Sequence, residues 1–174
     1  PLYCAASNGH VNAIKELLAG LTPPERIAYL NKADINGATP LHSAAINGHV
    51  NAIKELLKGL TPEDRLAYLN KADNGGKTPL HCAARNGHVN AIKELLKGLT
   101  TAERLAYLNK ATKNGATPLH SAASNGHDNA IKELLEGLTT EDRLAYLNHA
   151  INNGLTPLYC AASNGHVNAI KELL

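Results

Sequence analysis

Nine histidines, three cysteines and several paired acids are the residues of this chain that could do chemistry. Histidines with cysteines or carboxylates close by would suggest a metal centre, because those groups are the usual ligands of zinc. Here they come as pairs, His42 with His49, His81 with His88 and His120 with His127, returning at a fixed interval with no Cys or carboxylate recurring beside them. The pattern follows a structural period and not a ligand set, so no metal is expected. Cys4, Cys82 and Cys160 share one position of that period, filled by Ser43 and Ser121 in the intervening units. With helix layers about 8–10 Å apart, cysteines two units apart lie beyond the roughly 7 Å Cα limit of a disulfide. Reduced core thiols in a cytosolic setting are therefore expected. A nucleophilic thiol would need a neighbouring His base and exposure, and nothing places one there. The acid pairs Glu63-Asp64 and Glu141-Asp142 fall in the first turn of a predicted helix, where the helix dipole favours negative charge. The glycines form neither a GxGxxG nor a GxxxxGK[ST] phosphate loop. No enzyme and no cofactor are expected from these residues.

What positions all of them is a repeat. Asn-Gly-His returns at Asn8, Asn47, Asn86, Asn125 and Asn164, always 39 residues on, inside one long block. The block Pro79–Thr117 differs from Pro40–Thr78 at nine positions. A unit of this size cannot bury its own apolar face and must stack on its neighbours. Within Pro40–Thr78, Thr39 caps a first helix that opens at Pro40, carries Leu41, Ala44 and Ala45 on one face, and stops at Asn47-Gly48. Val50, Ile53, Leu56 and Leu57 are spaced as one face of a second helix, ended by Gly59. Thr61, Pro62 and Asp64 open a third, with Leu66 and Leu69 expected to point inward and Tyr68 to be half-buried. Asp73-Asn74-Gly75-Gly76 then makes a tight turn.

Charge and composition narrow the partner. Lys and Arg number 17 against 15 for Asp and Glu, a net charge of +2, which does not suit nucleic acid or an anionic membrane. With no Phe, Trp or Met the core must be aliphatic, and the stacking platforms of single-strand binders are missing. No stretch approaches the roughly 20 apolar residues of a membrane helix, and no secretory signal opens the chain. The lack of Met leads us to expect a mature product or a piece of something longer.

Thr-Pro-Leu-His, then Ala-Ala, then Asn-Gly-His, with a closing Leu-Asn before a Gly-containing turn, together resemble the ankyrin repeat. The resemblance spans nearly the whole chain. It departs from the family in length, about 33 residues per unit there against 39 here, the difference falling between Leu57 and Leu69. Similar lengthened units occur in ankyrin proteins of intracellular bacteria, which would place the chain in the cytoplasm or deliver it to a host cytosol. What the resemblance implies is an all-α, ankyrin-type helical solenoid with three helices and a β-turn per unit. We expect one continuous array over residues 1–174, in units 1–39, 40–78, 79–117, 118–156 and a partial 157–174. It also implies structural histidines: that of Thr-Pro-Leu-His bonds near the helix start, and that after Gly links neighbouring loops.

Function should then lie where the units differ on one surface. In ankyrin-like arrays the turn tips and first-helix surfaces line a concave protein-binding groove. Carried onto this chain, the variable positions there are Ile35, Ala38, Ile46, Lys77, Arg85, Lys113 and Leu155. Ile46, exposed among polar neighbours and followed one unit on by Arg85, suits a partner anchor. The expected function is thus a non-catalytic scaffold binding another protein. Two alternatives stand beside it. Pro1–Leu18 and Pro157–Leu174 are identical, and neither end shows a polar capping repeat. Those features predict a rod or filament, continuous or self-associating end to end. Near-identity of the units also fits an engineered consensus array. Two further changes break the pattern: Asp128 replaces a recurring Val at a helix start, where it could mark a contact surface, and His149 replaces a recurring Lys as a neutral surface change.

Overall fold

A computed structural model describes all 174 residues as 14 α-helices without strands. Each unit supplies a first helix: α1 Leu2–Ser7, α4 Pro40–Ile46, α7 Pro79–Arg85, α10 Pro118–Ser124 and α13 Pro157–Ser163. Second helices follow as α2 Val11–Leu18, α5 Val50–Leu57, α8 Val89–Leu96, α11 Asp128–Leu135 and α14 Val167–Leu173. The stretch that lengthens the unit forms a third helix, α3 Pro23–Leu30, α6 Pro62–Leu69, α9 Thr101–Leu108 and α12 Thr140–Leu147. First helices pack on first helices in order, α1 on α4, α4 on α7, α7 on α10 and α10 on α13, and the second helices form a parallel series. Alanines make the first series possible: Ala44, Ala45, Ala83, Ala84, Ala122 and Ala123 are fully buried, so helix backbones approach closely. Ile53, Leu56, Ile92, Leu95, Ile131 and Leu134 fill the space between the two series. One core runs through the stack, aliphatic except for Tyr68, Tyr107, Tyr146 and Cys82, in the ankyrin-type solenoid expected from the sequence.

Helix ends are closed by the residues that the sequence pattern implied. Thr39, Thr78 and Thr117 cap α4, α7 and α10, each followed by Pro at the first helical position. After α7, Gly87 adopts φ 68°, a left-handed conformation costly for any residue with a Cβ. The ring of His127 from the next unit also lies where that Cβ would be, at 2.6 Å.

The third helix departs from the sequence reading. Tyr68, Tyr107 and Tyr146 are buried, whereas Leu66 and Leu105 are half-buried and Leu144 is exposed. Aromatic bulk, and not the leucine at the fifth helix position, seals the third helix onto the core. Its arginine has a role that the sequence did not announce. Arg65 donates through Nη2 to the Lys97 and Glu94 carbonyls of the next unit at 2.9 and 3.3 Å. Arg26 and Arg104 repeat this on Lys58 and Glu55, and on Glu136 and Glu133, at 2.8–3.2 Å. These carbonyls lie at the C-termini of α5, α8 and α11, where backbone acceptors lack intrahelical partners and a cation meets the negative end of the dipole. The inserted residues therefore staple each unit to the next.

Two expectations about single residues are corrected. All three cysteines are free thiols, but only Cys82 is buried, while Cys4 is exposed and Cys160 half-exposed; burial at this position requires packed helices on both sides, which only Cys82 has. His149 is not a neutral surface change: its Nε2 lies 3.2 Å from the Gly115 carbonyl and its ring meets His120 edge to face at 5.9 Å. Asp128 stands at the first position of α11, among the unpaired N–H groups of a helix start.

Candidate protein-binding groove

Two histidine ladders hold the backbone of the inner surface. In the first, His42 Nδ1 accepts from the Thr39 backbone N–H at 3.1 Å, so its proton sits on Nε2, which donates to the Lys77 carbonyl at 2.9 Å. His81 and His120 repeat the arrangement towards the Ala116 and Leu155 carbonyls. Only the neutral ring satisfies both contacts, because a protonated Nδ1 cannot accept. Burial pushes the pKa of all three rings down, to about 4 for His81 and His120, despite the carbonyl bonds that favour the cation.

In the second ladder the His after Gly reaches back one unit. His49, His88, His127 and His166 bond through Nε2 to the carbonyls of Ser7, Ile46, Arg85 and Ser124 at 2.9–3.1 Å. Those four acceptors are the variable last residues of α1, α4, α7 and α10. The backbone of this variable position is thus fixed while the Ile46 and Arg85 side chains are exposed, an arrangement suited to changing specificity on a constant frame. The histidines serve as cross-links, the roles that the resemblance assigned them. No three His, Cys, Asp or Glu side chains converge.

The turns form a further ladder. Asp73 Oδ1 accepts from the Gly75 and Lys77 N–H groups at 2.8 Å, closing the turn. Successive tips are joined by Asn74 N to Asn36 O, Lys113 N to Gly75 O and Asn152 N to Asn114 O, at 2.8–3.1 Å. Between this ladder and the first helices lies a cavity of about 610 Å³, bordered by Ile46, Asp73, Lys77, Arg85, Asn114, Ser121, Ser124 and Ile151 among others.

Of the seven residues singled out from the sequence, Ile46, Lys77 and Arg85 are brought together on this cavity. Ile35 and Lys113 stand exposed on the turn tips outside its lining, and Leu155 is half-buried. Ala38 is buried, whereas Lys77 and Leu155 at the same position of later units are half-buried. Sequence reasoning passed over Cys82, Ser121, Asn86 and Asn125, which also border the cavity. Helical spacing could have found them, since Cys82, Arg85 and Asn86 stand at i, i+3 and i+4 and share one face. Cys82 is no nucleophile, because burial pushes its thiol up to about 12. The groove therefore offers a guanidinium, an ammonium, amides, hydroxyls and aliphatic surface for binding, with no activated acid, base or nucleophile among its lining residues.

A family description of ankyrin repeats in three copies matches residues 2–104 and again 99–174. No curated protein matches the chain closely enough to count as a relative. Covered almost from end to end by that match, and built of stacked helical units joined by laddered turns, the chain belongs to the ankyrin-repeat family.

Proposed function

We propose that this chain is a non-catalytic scaffold that binds another protein through the groove between its turn ladder and its first helices. Ankyrin repeats generally mediate protein–protein interaction, and no helix here is long and apolar enough to cross a membrane. The observation that carries the reading is the contrast between frame and side chains. The backbone carbonyls of Ile46 and Arg85 are pinned by His88 and His127, while both side chains are exposed on one cavity. Three unpaired thiols suit a reducing compartment such as the cytoplasm. Replacing Ile46 and Arg85 together by Ala and measuring affinity for a captured partner tests the assignment. A loss of about tenfold or more, roughly 1.4 kcal/mol, is expected, and unchanged affinity removes the groove.

A second reading, a rod in which uniform stacking matters more than a groove, is supported by the sameness of the junctions. All four repeat one histidine bond, and the first three repeat a pair of arginine bonds. It predicts end-to-end assembly that rises with concentration in light scattering, and a monomer at high concentration counts against it.

A further inference from the structure

We propose that the groove takes an acidic, extended protein segment in which an aliphatic side chain is followed, three residues on, by a carboxylate. The inference rests on the groove reading above and names the chemistry of its partner.

Charge provides the first argument. The chain has two ion pairs within 4.0 Å, Lys93 with Glu133 and Lys132 with Glu172. Both join second helices of successive units, so those cations are matched within the fold. Lys77 and Arg85, on the groove, and Lys113, on the adjoining turn tip, have no such partner. Asp73 is the one carboxylate on the cavity lining, and its Oδ1 is occupied by two backbone N–H groups of its own turn. The next two turns open with Thr112 and Ile151 where Asp73 stands, so the positive character is not offset further along. Two cations against one engaged carboxylate, with a third cation at the rim, leave a local excess on a chain whose overall charge is only +2. Complementary potential of this kind selects acidic partners and speeds their encounter.

Spacing provides the second. Ile46 and Arg85 occupy equivalent positions one unit apart, and packed first helices place such positions about 8–10 Å from each other. An extended segment rises about 3.3 Å per residue, so three residues cover that distance. An aliphatic side chain against Ile46, which is 40 % exposed, therefore puts a carboxylate at Arg85, where the guanidinium fork can hold both oxygens. A nucleic acid would meet the cations but find no Phe, Tyr or Trp on the cavity to stack on, and the two imidazoles there, His81 and His120, are held by bonds within the fold.

The test uses the intact chain and a random library of about twelve-residue displayed peptides. Binders are sorted by whether they survive Ile46→Asp, and the dependent ones are sequenced. Enrichment of Asp and Glu three residues after Leu, Ile or Val is expected. A synthetic peptide of that pattern, followed by fluorescence anisotropy, should bind at least about tenfold more weakly to Arg85→Glu. It should bind almost unchanged to Lys54→Glu, which alters net charge equally on the exposed side of α5. Groove-dependent binders with no acidic preference, or equal losses for the two charge variants, overturn the acidic partner and leave the groove reading standing. So does a labelled single-stranded oligonucleotide that binds more tightly than the peptide and is lost with Arg85→Glu. A library whose binders are all indifferent to Ile46→Asp overturns the groove reading itself.

Discussion

Arg104 and Arg143 hold the same place in successive units, but only Arg104 has both of its acceptors within the sequence, since the position 32 residues after Arg143 follows Leu174. Arg104 is half-buried and donates to the Glu136 and Glu133 carbonyls at 2.9 and 3.1 Å. Arg143 is exposed and makes one long bond, 3.4 Å, to the Glu172 carbonyl. A hydrogen bond from a charged donor contributes about 1.5–3 kcal/mol when well formed, and solvent around a half-exposed guanidinium reduces that. The Arg104 Nε, buried without a partner, subtracts further, while packing of the side-chain stem adds. Together these give about 2 kcal/mol for Arg104→Ala, against about 0.5 kcal/mol for Arg143→Ala, which resembles an ordinary surface contact. Arg104→Lys should fall between, because an ammonium keeps the charge at the helix end but sits on a shorter side chain and is more strongly hydrated. In urea, with a slope of about 2 kcal/mol/M, the first variant should lower the unfolding midpoint by about 1 M and the second by about 0.25 M. Equal shifts for the two arginines, or a shift below about 0.25 M for Arg104→Ala, would refute the idea that the inserted helix staples the units together.

Acid should weaken the fold in a defined window. Unfolded histidines protonate near pH 6.5, whereas folded His81 and His120 stay neutral down to about pH 4 and His42 is shifted the same way. The unfolded state then binds more protons between those values, so stability is complete above about pH 6.5 and falls as pH drops towards 4. The well-buried His81 alone should lose roughly 2 kcal/mol by pH 5, and a His81→Gln variant should show a flatter urea-midpoint profile from pH 7.5 to 5. Gly87→Ala and Gly98→Ala compare strain with strain plus collision. Both glycines have positive φ, but only at Gly87 would the new methyl meet a ring, that of His127. About 1 kcal/mol is expected for Gly98→Ala and clearly more for Gly87→Ala, measured by thermal unfolding. Removing the hydroxyl of Tyr107, buried without a partner, should be neutral or slightly stabilising as Tyr107→Phe. Tyr146→Phe should cost about 1 kcal/mol, because that hydroxyl accepts from the Leu119 N–H at 3.2 Å.

How far the sequence was legible depends on whether information sat in side-chain period or in backbone partners. Helix borders came through almost residue for residue, because Thr-Pro starts and Asn-Gly or Gly stops are local chemistry that recurs in every unit. The third helix was placed correctly and Leu69 faces the core as read, but Leu66 and Tyr68 are two residues apart, and the tyrosine, not the leucine, is buried beside it. The arginine staple stayed hidden although Arg26, Arg65, Arg104 and Arg143 recur, since its acceptors are carbonyls of the next unit and carry no sequence signature. At the groove, variability between units found Ile46, Lys77 and Arg85, which share one cavity. The same criterion chose Ala38, because variation at a position does not reveal that the short side chain is buried where the longer Lys77 reaches the surface. His149 was underrated for a related reason: its value lies in meeting His120 across the turn, a contact that no spacing rule displays.

The central claim is that partners bind on the turn-and-first-helix surface. It is tested most directly by recording backbone amide NMR spectra of the intact chain while titrating a captured partner or a library-derived peptide. The largest shifts should cluster at Ile46, Lys77, Arg85, Ser124 and Ile151, with the exposed residues of α5, α8 and α11 little moved. Shifts concentrated on those second helices, with the cavity residues silent, would contradict it.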